Sequence, residues 1–116
     1  MIQWLERSVR AISVVTVGEM RSGALRARWG ERRLRALEDH LAAHVILPID
    51  PAICDEWAHL RARCLELGRQ KRDNDLWIAA TAIRHGLSLA TLDAGQQEIP
   101  GLTVVREDGT EVTVPS

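Results

Sequence analysis

Apolar positions along the chain alternate between two rhythms, runs of strand length and stripes of helical spacing. AISVVTV (Ala11–Val17) is a β-branched run apolar on both faces, which predicts a buried parallel strand. A helical stretch follows Gly18 and Glu19 to about Trp29, and after Gly30 the residues Glu31–Ala43 repeat apolar positions at Leu34, Leu37 and Leu41. VILPI (Val45–Ile49) predicts a second strand, and Asp50-Pro51 is a helix start with an N-cap acid and proline at the first helical position. That helix carries Ile53, Trp57, Leu60, Cys64 and Leu67 on one face and stops at Gly68. NDLWIAATAI (Asn74–Ile83) is apolar almost all round, which predicts a helix buried on most sides and closed by His85-Gly86. Leu87–Asp93 and Leu102–Glu107 predict two further strands, with a short hairpin around Asp108-Gly109 in the tail. Strands alternating with helices place the chain in the α/β class, as a sandwich with a mainly parallel sheet.

One residue breaks the apolar helix. Asp75 sits at its mouth, where a charge is costly unless helix-end amides, a metal ion or a basic ligand compensate it. In open parallel sheets, sites form beyond the carboxyl ends of the strands. Glu19 lies two residues past the first predicted strand, Asp93 ends the third, and Asp75 begins the helix that leads into it. Three acids distant in sequence thus converge on one rim. Packed carboxylates repel unless a cation holds them, and hard oxygen ligands select Mg²⁺ or Mn²⁺, ions suited to phosphoryl chemistry. Each acid also has a plainer reading: Glu19 and Asp75 as first-turn residues favoured by the helix dipole, Asp93 as a turn residue before Ala94-Gly95.

Composition narrows the field. The 116 residues suit one domain, and 46% hydrophobic with 27% charged residues is ordinary for a globular protein. No apolar run approaches the roughly 20 residues that span a bilayer, and Met1–Arg10 does not resemble a signal peptide, so the cytoplasm is expected and no membrane partner. Cys54 and Cys64 fall on one predicted helix roughly 15 Å apart, beyond disulfide reach, and are expected to be free thiols packed as small apolar groups. Two cysteines and four scattered histidines show no ligand spacing for zinc. The net charge of −1 gives no global nucleic-acid signal. Arginines nonetheless cluster at Arg21–Arg35 and again with Lys71 at Arg69–Arg72, either as solvated helix faces or as the basic ground a phosphodiester site needs.

Three segments resemble a known family. AISVVTVGEMRSG (Ala11–Gly23), NDLWIAATAIRHGLSLATLD (Asn74–Asp93) and IPGLTVV (Ile99–Val105) are similar, in order, to the PIN-domain toxins of the VapC type, the middle segment being the most specific. The resemblance implies a three-layer α/β/α sandwich and a Mg²⁺-dependent endoribonuclease that cuts structured RNA, often tRNA. It also implies a VapB-like antitoxin partner and a homodimer. Glu19, Asp75 and Asp93 match the family's acids after the second strand, at the apolar helix and after the fourth strand. Thr91 matches a hydroxyl residue near the last acid, assigned to positioning a carboxylate or water. Arg21 and Arg72 are the arginines expected to hold the RNA backbone.

The chain departs from the family at its start. The family opens with a strand ending in Asp-Thr or Asp-Ser, whereas Met1-Ile2-Gln3-Trp4-Leu5-Glu6 reads as the end of the helix before the second strand. Glu6 is the nearest acid but lies in the wrong element. That strand is central in the family, so its absence would leave a gap of roughly 9–10 Å between its neighbours. A start lying upstream, a smaller closed-up sheet, or a strand added from another chain would each resolve this. The functional expectation is a metal-dependent ribonuclease impaired by the missing aspartate. The alternative is an inactive PIN-like fragment that serves as an antitoxin-binding or oligomerisation module. A phosphoacceptor domain fits poorly, because the only lysine, Lys71, precedes the buried helix rather than following the last strands.

Overall fold

The computed structural model describes residues 11–90, 98–106 and 108–116. They fall into two compact units, one ending at Pro48 and the other beginning at Ile49.

The first unit contains β1 (Ala11–Ser13), α1 (Val14–Arg26), α2 (Glu31–Ala42) and β2 (Val45–Leu47). β1 and β2 pair in parallel, with Ile12 opposite Ile46. The first strand is shorter than the β-branched run suggested, and Val14–Val17 are helical. Ser13 explains the switch: extended and buried, its hydroxyl accepts the Val15 N–H at 3.0 Å and so caps α1. A cap contributes about 1 kcal/mol, enough to offset the few tenths that each β-branched residue costs in a helix. Glu19 therefore lies inside α1 rather than in a loop after a strand. α1 also stops earlier than expected, at Arg26. Trp29 N–H bonds Ala24 O and Arg28 N–H bonds Leu25 O, the paired closure of a Schellman turn. Arg28 occupies its left-handed position at φ 55°, where glycine is usual.

The second unit contains α3 (Pro51–Glu66), α4 (Asp73–Arg84), β3 (Leu89–Ala90), β4 (Thr103–Val105) and β5 (Glu111–Thr113). Asp50 caps α3 as its sequence predicts, accepting Ile53 N–H at 2.9 Å, with Pro51 in the first turn. Gly68 and Gly86 close α3 and α4 at φ 70° and 65°. The two helices form a hairpin whose buried face joins Ile53, Leu60 and Cys64 to Leu76, Ala79 and Ala80, and Ile99, Leu102 and Val104 complete this core. Trp57 and Trp77 stack across the hairpin with ring centroids 4.8 Å apart. Both cysteines lie on α3 as free thiols; Cys64 is buried, but Cys54 is exposed rather than packed.

β3 and β4 are parallel, and β5 returns antiparallel through the Asp108-Gly109 turn, forming the expected tail hairpin. Strands β2 and β4 are three residues each, trimmed from the predicted runs. β3 is described only at Leu89–Ala90, because the rest of its predicted span lies outside the described residues. Among the described residues the ladders are β1–β2 and β3–β4–β5. Among the described residues, β1 and β3 each pair on one side only. No described helix is long and apolar enough to cross a membrane.

Candidate functional site

α4 begins after the loop Arg69–Arg72, with Arg72 extended at its N-cap position. Asp73, Asn74 and Asp75 then occupy the first turn, where unpaired amides and the helix dipole favour negative charge. Apolar residues from Leu76 onward anchor the helix, so its first turn sits at the edge of the core. Asp75 is accordingly only 16% exposed, and its Oδ2 accepts from Arg72 Nε at 3.2 Å. The neighbouring Asp73 is far more open and receives Arg61 Nη1 from α3 at 3.0 Å. Arg61 also lies over the Trp57 ring at 5.6 Å, so one guanidinium joins the two helices and the tryptophan stack.

Behind the helix mouth, Lys71 is 10% exposed and donates to Glu98 Oε1 at 2.8 Å. Arg69 Nη1 donates to the Glu98 carbonyl at 2.7 Å, so two cations tie the entry loop of α4 to the turn before β4. The Lys71 hydrogen bond holds the Glu98 carboxyl below its ordinary value. A carboxylate with a lowered folded pKa contributes stability that is fully present above its ordinary range, near ~4.3. That contribution is lost as pH falls through the lower folded value. Acid titration followed by near-UV signal should show this dependence, and Glu98→Gln should flatten it below about pH 4.3. An unchanged acid profile in the variant would count against the tie.

In the first unit, Glu19 lies on an exposed part of α1. Arg21, two residues on, faces α2 instead of a ligand, its Nη2 donating to Glu38 Oε1 at 2.8 Å and Nε to Oε2 at 3.1 Å. This two-pronged contact lowers the Glu38 pKa and raises that of Arg21. Asp93 and Thr91 lie outside the described residues. Among the described residues, no three acidic, histidine or cysteine side chains group to hold a metal. Asp75 is one hard oxygen donor of the kind a divalent cation takes, and Arg72 occupies one of its two oxygens. Sequence reasoning located Asp75 and Arg72 but missed Arg61 and Glu98. Their partners lie across the helix hairpin or beyond β3, at spacings that carry no local signal.

Comparison with known proteins gives this geometry its setting. The PIN-domain family model matches residues 1–102. Ribonuclease VapC4 of Mycobacterium tuberculosis is 36% identical over 96 residues, covering 81% of this chain and 74% of that protein. Ribonuclease VapC5 of the same organism is 42% identical over 86 residues, covering 72% of this chain and 63% of that protein. This chain thus spans roughly two thirds to three quarters of these relatives. Among solved structures, VapBC2 from Rickettsia felis, bound to a DNA fragment from their promoter, superposes with a TM-score of 0.78 at 24% identity, covering 86% of this chain and 76% of that one. VapBC-5 from M. tuberculosis, a member of the VapBC family of toxin–antitoxin systems, gives a TM-score of 0.60 at 37% identity, covering 72% of this chain and 68% of that one. The α/β architecture is that of these structures, and the chain belongs to the PIN-domain family, among its VapC-type members.

Proposed function

We propose that this protein is a Mg²⁺-dependent endoribonuclease of the VapC type, the toxin of a toxin–antitoxin pair with a VapB-like antitoxin. The observation that carries the reading is Asp75, a shielded carboxylate held at the first turn of a buried helix in a chain whose relatives are named ribonucleases. Glu19, Asp75 and Asp93 would hold one or two Mg²⁺ ions, or Mn²⁺, with Thr91 positioning a carboxylate or water. The metal, when bound, supplies an activated water and neutralises charge at the scissile phosphate. The protein's own part is positional: the core fixes Asp75 through Leu76, and Arg72 keeps a cation beside it. Arg21 and Arg72, both exposed guanidiniums, would exchange their carboxylate partners for phosphates of the RNA backbone. A homodimer in the cytoplasm belongs to the same reading.

The test is cleavage of structured RNA, including tRNA, with Mg²⁺ or with chelator, followed by end analysis. Metal-dependent products bearing a 5′-phosphate and a 3′-hydroxyl are expected. No metal-dependent cleavage of any RNA supplied, by protein that retains its fold, would overturn the ribonuclease reading. Copurification with a small antitoxin would then favour the alternative of an inactive binding module.

A further inference from the structure

In the second unit a cavity of about 180 Å³ lies between the last turns of α3 and the entry loop of α4. Arg61, Arg69 and Lys71 line it, with Cys64, Gln70 and Leu76 among the remaining wall. Three cations therefore face one small space that no carboxylate lines. The acids that pair with two of these cations, Asp73 and Glu98, are exposed and lie outside the lining. Each arginine tie uses a single nitrogen of a guanidinium that carries five N–H donors. Burial pushes the Cys64 thiol up, so it stays neutral and supplies no counter-charge. The α3 carbonyls that would repel an anion are already engaged by the amides of Leu67, Gly68 and Arg69. At this volume the cavity falls below the ~300–1,000 Å³ typical of drug-sized ligands, which suits a single charged group rather than a whole nucleotide.

We propose that this cavity binds a phosphate of the RNA backbone, as a subsite beside Asp75 built from Arg61, Arg69 and Lys71. The inference rests on the ribonuclease reading for its ligand, while the cavity can be tested without RNA. The ties to Asp73 and Glu98 preorganise the cations, so binding need not order them. Leu76, the residue after Asp75 in the first turns of α4, forms part of the wall.

Two measurements test it. Because Lys71 is the only lysine, a chain labelled with ¹³C at lysine Cε gives one reporter signal. Inorganic phosphate should shift that signal saturably, and Arg69→Gln should abolish the shift. Binding of an RNA hairpin to Asp75→Asn protein, without divalent ions, is then measured against salt. Arg69→Gln and Lys71→Gln should each flatten the slope of log K against log salt by about 0.7–0.9. Lys71→Arg retains the charge and should keep the slope, as should Arg63→Gln, which lies outside the cavity lining and whose exposed guanidinium pairs with Glu66 at 3.2 Å. Absence of a saturable phosphate shift overturns the cavity. A phosphate shift with slopes no different from Arg63→Gln overturns the RNA assignment. Flattened slopes in a protein that cuts no RNA would leave the subsite standing and sink the ribonuclease reading alone.

Discussion

Asp75→Asn is expected to lower Mg²⁺-dependent RNA cleavage by at least about a hundredfold while leaving the chain folded, a barrier increase of about 2.7 kcal/mol. The substitution keeps size and shape at a site that is 16% exposed, so packing around Leu76 is preserved. The changes are loss of a charge that a hard cation requires and loss of the ionic partner of Arg72. The second loss is small, since that arginine is largely exposed and such pairs contribute ~0–1 kcal/mol. Helix-dipole effects are controlled by Asp73→Asn, which removes the same charge from the same turn and unpairs Arg61. If Asp75 works only as a helix-end acid, the two variants will behave alike. If it binds metal, only Asp75→Asn loses activity and Mn²⁺ affinity. Equal activity in both variants would sink the catalytic assignment.

What made Asp75 legible in the sequence is local contrast: one acid at the head of a run too apolar to be anything but buried. Other local signals were equally readable. Asp50-Pro51 announced the start of α3, and Gly68 and Gly86 announced the ends of α3 and α4 through the left-handed turns only glycine adopts easily. The misreading at Val14–Val17 shows the limit of periodicity. Four β-branched residues look like strand, yet the Ser13 cap and the apolar contacts at Val17 and Ala24 place them in α1. Arg28 misled for a related reason, since an arginine in a left-handed turn carries no sequence mark.

The contacts that furnish the candidate site were less accessible still. Arg61 reaches Asp73 because two helices cross, and Lys71 reaches Glu98 because the turn before β4 folds back to the mouth of α4. These depend on tertiary placement, to which spacing along the chain is blind. The same holds for strand pairing: apolar runs identified strands, but not the register that sets Val104 of β4 opposite Val112 of β5. Position at predicted strand ends pointed to Glu19 and Asp93 as partners of Asp75, whereas the role of Thr91 came from family resemblance alone.

The stability of the α4 mouth should depend on one side chain above all. Leu76 is 1% exposed, and the other buried residues of α4 are Ala79, Ala80, Thr81 and Ala82. A helix that buries mostly alanines has little side-chain volume with which to fill a void, so truncation at Leu76 leaves a cavity that cannot collapse. Leu76→Ala is therefore expected in the upper part of the ~2–5 kcal/mol range for such changes. Against a total of about 5–15 kcal/mol, this removes a large share of the stability and lowers the melting midpoint by more than about 10 °C. Leu65→Ala on α3, 58% exposed, should stay within about 0.5 kcal/mol. A cost below about 1.5 kcal/mol at Leu76 would show that the α3–α4 interface repacks and does not hold Asp75 rigidly. Leu76→Met, close in volume, is expected to recover most of the stability. Because Leu76 fixes the turn that carries Asp75, metal-dependent cleavage should recover with it, linking the packing of the hairpin to the chemistry at its end.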